Sequence, residues 1–259
     1  MGIKKFLKLY HETKKSVFFV YFTLRFLVLL CIFLQIINHN WNNVVYCFFA
    51  LILFTLPFFI SKNFKIEIPN LLEIIILIFI FSAMILGEVN HFYLTIPHFD
   101  KMLHTINGFI CCAIGFSLVE LLNDNVKTFN LTPFFRVVVA FCFSMTVGVI
   151  WEFFEFGADV CFKSDMQKDT ILKTVKSVTI SDTNDVVVLD DIESVEITYG
   201  NNQKMIVKNG YLDIGLYDTM KDLIVNFIGA LIFSVLGYIY LNNKDKCKIT
   251  KELLITKSD

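Results

Sequence analysis

The sequence predicts an all-α polytopic membrane protein with six transmembrane helices, both termini cytoplasmic, and a small extracellular β-rich insertion between helices five and six. Three observations predict this class. The 259 residues are 56% hydrophobic and 18% charged with a mean hydropathy of +0.63, too apolar for a soluble domain of this length. Six apolar stretches, at about 16–37, 43–61, 69–88, 101–122, 134–158 and 219–241, are each long enough for a hydrocarbon core of about 30 Å, which takes roughly 20 helical residues. The third observation is the placement of lysine, which short cytoplasmic segments retain.

Residues 1–15, "MGIKKFLKLYHETKK", carry Lys4, Lys5, Lys8, Lys14 and Lys15, whereas the first connection, "NHNWNN", has no Lys or Arg. The N-terminus is therefore cytoplasmic. Alternation places the basic segments "SKNFKIEIP", "NDNVKTFNLTPFFR" and the tail at 243–259 on the same side. The first span is too long for a cleaved signal and lacks a small-residue cleavage site, so it reads as a signal anchor. "LVLLC" lacks the small residues expected before a lipid-modified cysteine. Helices one to five occupy 16–160 and helix six lies within 214–242. The seven cysteines include no CxxC pair, with Cys161 expected outside and Cys247 inside, which argues against a disulfide framework. Basic residues mark topology without forming a groove-facing patch, so nucleic-acid binding is excluded. The chain has no phosphate-cradling glycine loop and no nucleophile elbow.

Between the last two spans, residues 161–213 turn polar and β-branched. "VKSVTI", "DVVVLD", "ESVEITY" and "KMIVK" read as four short strands separated by "SDTN", "DI" and "GNNQ", the first and last being turn-type clusters. A small external β-meander is expected, offering a surface to an envelope polymer or protein partner.

Acidic residues mark the outer ends of spans four to six in "HFDKMLHTING", "WEFFEFGAD" and "YDTMKDLIVNFIGA". Residues three or four apart share a helix face, and each turn rises about 5.4 Å. Three stripes result: Asp100, His104, Asn107 and Gly108; Glu152, Glu155 and Asp159; Asp218, Asp222 and Asn226. Packed side by side, they form a narrowing polar funnel. Asp100, Asp159 and Asp218 form its surface layer, His104, Glu155 and Asp222 the next, and Asn107, Glu152 and Asn226 the deepest. An acid at the centre of a helix in lipid costs roughly 2.5–3.5 kcal/mol, so these groups should face one another or water. Clustered carboxylates also raise one another's pKa, so protons or a metal must neutralise them. Gly108, Gly148, Gly157 and Gly229 are positioned for close backbone approach.

Asp100 and Asp218 stand at helix starts, where aspartate caps free N–H groups. Burial of Glu152, Glu155 and Asp222 has no such explanation. His104 lies among acids, while His91 and His98 are accessory loop residues. Lys101 and Lys221, one position off the stripes, should snorkel to headgroups. Arg25, mid-span, needs a partner: either the funnel or an ordinary interhelical contact. Glu120 and Arg136 bracket the connection between spans four and five and read as a structural pair.

"FDKMLHTINGF", "WEFFEFGAD" and "LDIGLYDTMKDLIVNFIGAL" resemble the signature blocks of the YjdF-like family of bacterial inner-membrane proteins across spans three to six. By that resemblance the family's polar positions fall on Asp100, His104, Gly108, Glu152, Glu155, Asp218, Asp222 and Gly229. Phe156 stands where the family usually has Trp, and the external insertion is longer than expected. More distantly, the Asp-Lys-x-x-His helix followed by an Asp-x-x-x-Asn helix is similar to VanZ-like proteins, associated with glycopeptide resistance. The resemblance implies a bacterial cytoplasmic membrane and assigns no activity.

Three functions fit these features. In the first, His104, Glu155 and Asp222 bind a divalent Zn, Mn or Fe, Glu152 or Asp218 is the general base, and Asp100, Asn107, Asp159 and Asn226 support them in a hydrolase or transferase acting on a lipid-linked envelope substrate. In the second, the acids conduct a cation or protons, although the apolar runs below Asn226 and Gly108 close the inner end. In the third, the cluster only fixes helix packing in a non-catalytic envelope or resistance protein, and the insertion binds a partner. Membrane lipids are partners in all three.

Overall fold

The computed structural model describes residues 15–123, 131–162, 164–243 and 247–257. Six of its helices are long and apolar enough to cross a membrane: Lys15–Ile37, Trp41–Phe64, Asn70–Val89, Phe99–Asn123, Pro133–Phe162 and Leu216–Asn242. This is a multi-pass membrane protein. The helices begin or end a few residues outside the apolar stretches because their polar end turns reach headgroup level. Residues 1–14 of the basic N-terminus and residues 124–130 of the connection between spans four and five lie outside the described residues. The chain forms two compact units, Met1–Val149 with Leu223–Asp259, and Ile150–Asp222.

In the first unit, α1 (Lys15–Ile37) packs on α2 (Trp41–Leu53), whose first turn is capped by the Asn40 side chain accepting from the Asn43 N–H at 3.4 Å. The second span breaks at Phe54 and Thr55, then resumes as α3 (Leu56–Phe64) with Pro57 in its first turn, where a missing N–H is harmless. Strand β1 (Ile66–Glu67) leads to α4 (Asn70–Phe81), which widens into a π-helix, Ser82–Val89. A short α5 (Phe92–Thr95) precedes α6 (Phe99–Asn123). Val28, Ile32, Val44, Cys47, Ala50, Leu77 and Ile80 bury together between α1, α2 and α4. Arg25 lies beside this core. Its guanidinium donates to the Leu51 carbonyl at 3.4 Å and sits 4.6 Å above the Tyr21 ring, so the interhelical contact is the one observed.

A second core joins α6 to parts of α7 (Pro133–Phe162) and α8 (Leu216–Asn242), with Phe116, Ala140, Ala230 and Phe233 buried in it. The C-terminal segment folds onto this core. After α9 (Lys248–Lys251), Leu253 and Ile255 bury among these side chains, the Ile255 N–H donates to Ser117 Oγ at 3.1 Å, and β8 (Thr256–Lys257) pairs antiparallel with β1. The basic tail read at 243–259 is thus a packed element over its described part. Glu120 and Arg136 form the expected pair, with Arg136 Nη1 3.0 and 3.2 Å from the two carboxylate oxygens.

The second unit holds the β-rich insertion, with strands close to those expected but different pairing. Among the described residues β3 (Val175–Ser177) pairs only with β4 (Val187–Leu189), and β5 (Ser194–Tyr199) only with β6 (Gln203–Lys208), while β2 (Ile171–Leu172) pairs with β7 (Tyr211–Leu212). The expected meander is corrected to two separate hairpins. The break falls at "DDI", where Asp191 adopts φ +52° and the Ile192 N–H turns back to the Lys173 carbonyl, which ends the ladder before β4 can meet β5.

Candidate functional site

Helix α6 begins one residue before Asp100, and its first turns carry the polar stripe inward. Asp100 Oδ1 lies 3.6 Å from His104 Nε2, one turn along the same face, and His104 is 8% exposed. One turn deeper, Asn107 Nδ2 donates to Asn226 Oδ1 at 3.2 Å. Asn226 is fully buried and its own Nδ2 points to Met145 Sδ at 3.6 Å. An amide is suited to this depth because it is neutral and both donates and accepts. Ser144 Oγ adds a 2.7 Å bond to the Gly108 carbonyl.

Glycines make this crossing possible. A Cβ at Gly108 would meet the Asn226 carbonyl oxygen at 2.1 Å, one at Gly229 the Thr105 carbonyl oxygen at 2.0 Å, and one at Gly148 the Asn226 side-chain nitrogen at 2.7 Å. The close-approach reading holds for these three. It is corrected for Gly157, around which nothing lies within 4 Å, so a Cβ there would meet open space and no backbone approach depends on its absence.

In the second unit, the outer end of α7 divides its residues by face. Glu152, Glu155 and Ala158 are buried, whereas Trp151, Phe153, Phe154 and Phe156 are exposed. The acids therefore occupy the inward stripe and the aromatics the lipid-facing one, as the cost of an acid in lipid requires. Trp151 Nε1 donates to Glu155 Oε1 at 2.8 Å, a contact of i with i+4.

Other acids organise the start of the insertion. Asp159 accepts from the N–H groups of Met166 and Gln167 at 2.6 and 2.9 Å and from Ser164 Oγ at 2.9 Å. Asp218 accepts the Lys168 N–H at 2.9 Å. The helix cap expected of Asp218 belongs instead to Asp213, whose two carboxylate oxygens accept the Leu216 and Tyr217 N–H groups at 3.0 and 2.9 Å. The signal was present in "DIGL": an aspartate three residues before the first helical position, with Gly215 at φ +87° completing the turn. Asp222 is 1% exposed. Lys221 leans over the Tyr217 ring at 4.5 Å. Outside the spans, burial and the neighbouring charges of Asp165, Asp213 and Asp159 push the Asp169 carboxyl above its ordinary range, partly offset by Lys168.

The structure brings Asp100 to His104 and Asn107 to Asn226, buries Glu152, Glu155 and Asp222, and gives Asp159 and Asp218 hydrogen bonds to the insertion's backbone. Imidazole and carboxylate are the donor types of the Asp100–His104 pair, a set that suits a divalent transition metal.

A protein from Thermotoga maritima described as "Uncharacterized protein" is 27% identical over 103 residues, a match covering 40% of this chain and 52% of that protein. The chain thus spans about half the length of this relative. No solved structure matches it. A family model described as "Predicted membrane protein (DUF2238)" matches residues 19–243. With most of its length covered, from the first span to the end of the last, the chain belongs to the DUF2238 family of predicted membrane proteins.

Proposed function

We propose that the protein is a membrane-embedded, metal-dependent hydrolase or transferase acting on a lipid-linked envelope substrate, with Asp100, His104 and Asp222 as metal ligands. One observation carries the reading: the Asn107–Asn226 hydrogen bond, with Gly229 against Thr105, fixes the register of α6 against the lower part of α8. Helix α8 is continuous from Leu216, so one turn outward from Asn226 comes Asp222, just as one turn outward from Asn107 comes His104. Asp100 and His104 already hold a carboxylate and an imidazole 3.6 Å apart, and with Asp222 as the proposed third ligand the donor set fits Zn, Mn or Fe. A divalent ion there would supply Lewis acidity for hydrolytic or transfer chemistry at neutral pH.

Glu152, buried and one turn inward from Glu155, is assigned as the proton acceptor. Glu155, bonded to Trp151, orients the outer end of α7. Asp159 and Asp218 position the insertion. The packing of Phe116, Ala230 and Phe233 with Leu253 of the tail fills the bundle inward of Asn226, which favours chemistry over permeation. The YjdF-like and more distant VanZ-like resemblances agree with a bacterial cytoplasmic-membrane protein. In a deletion strain, wild-type protein should clear a lipid-linked species that accumulates and Glu152→Gln should not, read by mass spectrometry of extracted lipids. Full clearance by Glu152→Gln overturns the hydrolase reading.

The orientation, with both termini cytoplasmic and the insertion extracellular, is proposed from lysine placement. Cys161 is exposed, but Cys247 is buried, so its failure to label would be uninformative; Lys62→Cys, exposed in the last turn of α3, replaces it. An impermeant thiol reagent on intact cells should label Cys161 and spare Lys62→Cys. The reverse pattern would invert the topology.

A further inference from the structure

A cavity of about 530 Å³ opens where the α1–α2 connection meets the end of the π-helix, lined by Asn40, Asn42, Asn43, Tyr46, Glu88 and His91, with Val45 as its apolar member. We infer that this cavity binds a neutral saccharide ring. Its size is that of a small-ligand site. Among the described residues no Lys or Arg lines it while Glu88 does, so phosphate and carboxylate ligands find no counter-charge from them. Asn42 carries a donor and an acceptor side by side, Asn40 adds its Nδ2 donor and Asn43 its Oδ1 acceptor, a mixed set that matches vicinal hydroxyls, which also do both.

Two of these groups are held in place. Asn43 is 7% exposed and its Nδ2 donates to Gln35 Oε1 at 3.3 Å and to the Val89 carbonyl at 3.5 Å. Because both partners are acceptors, the amide orientation is fixed by the network, and Oδ1 is the atom left for the cavity. Asn40 is held by its bond to the Asn43 N–H. Tyr46, 38% exposed, offers the C–H face of a sugar an aromatic surface and a hydroxyl.

The π-helix explains why Glu88 reaches this place. Its wider turn adds a residue per cycle, a device common at functional sites. Asn90 locks the end by donating to the Ile85 carbonyl through both its N–H (3.0 Å) and Nδ2 (2.7 Å). Gly87 leaves room for the Tyr93 ring, which a Cβ would meet at 2.3 Å. His91, at φ +57°, then turns the chain back along the rim. Trp41, 62% exposed at the start of α2, suits headgroup level, so the ring belongs either to a glycolipid headgroup or to a water-borne glycan.

The test uses the full chain in phospholipid nanodiscs. Saturation-transfer NMR with glucose, galactose and N-acetylglucosamine probes free sugars; binding to vesicles with and without monoglucosyl diacylglycerol probes the headgroup. Tyr46→Ala should weaken binding about tenfold or more, near 1.4 kcal/mol, and Glu88→Gln should weaken it too. Tyr46→Phe, which keeps the ring, should retain most of it and controls for folding. Binding of free sugars supports a glycan ligand, and binding only of glycolipid vesicles supports the headgroup. Both must be sensitive to Tyr46→Ala. No binding in either arm, or binding indifferent to Tyr46→Ala and Glu88→Gln, overturns the inference. His104→Ala should leave sugar binding intact, which separates this site from the metal reading.

Discussion

Gly229→Ala and Gly108→Ala should each lower the melting temperature of the detergent-purified protein sharply, while Gly157→Ala leaves it unchanged or slightly raised. The obstacles are backbone carbonyl oxygens, at 2.0 Å from a Cβ on Gly229 and 2.1 Å from one on Gly108. A side chain could swing aside; a carbonyl in a helix moves only if the helix does. Overpacking of this kind costs about 1–3 kcal/mol and sometimes more. It would also part the helices that carry Asn107 and Asn226, breaking a hydrogen bond to an Asn226 that is fully buried, where an unpaired amide is costly. Gly157 meets nothing within 4 Å, so alanine there brings only its higher helix propensity, up to about 1 kcal/mol. A Gly229→Ala protein as stable as wild type would contradict the crossing.

The second large effect concerns the metal ligands. His104→Ala and Asp222→Asn should each reduce metal affinity by more than the roughly 10–100-fold typical of losing an outer-shell partner, with little change in melting temperature for metal-free protein. Asp159→Asn and Asp218→Asn should leave affinity within a few-fold. Those two carboxylates accept N–H groups of Met166, Gln167 and Lys168, so their loss should speed hydrogen exchange at the start of the insertion. If all four variants lost metal alike, the division between ligands and insertion anchors would fail.

Much of this was legible in the sequence because lipid leaves few options. A run of about 20 apolar residues must be a helix, and an acid on it must turn inward; both rules placed the spans and the buried faces of Glu152, Glu155 and Asp222. Period-of-four spacing likewise brought Asp100 to His104. Less local features were hidden. Whether Asp218 caps its own helix or anchors a neighbouring loop depends on where the helix starts, and Asp213 moved that start to Leu216. The insertion's strands announced themselves by β-branched residues, yet their pairing turned on one left-handed aspartate, Asp191. Gly157 looked like Gly108 in sequence, and only the position of a neighbouring helix separates them. The π-helix left no periodic signal, since one widened turn in an apolar run changes no residue type.

Metal analysis of the full chain, purified in detergent without chelator, tests the central claim most directly. Wild-type protein should retain close to one equivalent of Zn, Mn or Fe, and His104→Ala and Asp222→Asn should retain almost none. A wild-type protein that neither retains nor takes up any of these ions, or one whose metal content is the same in both variants, would contradict it.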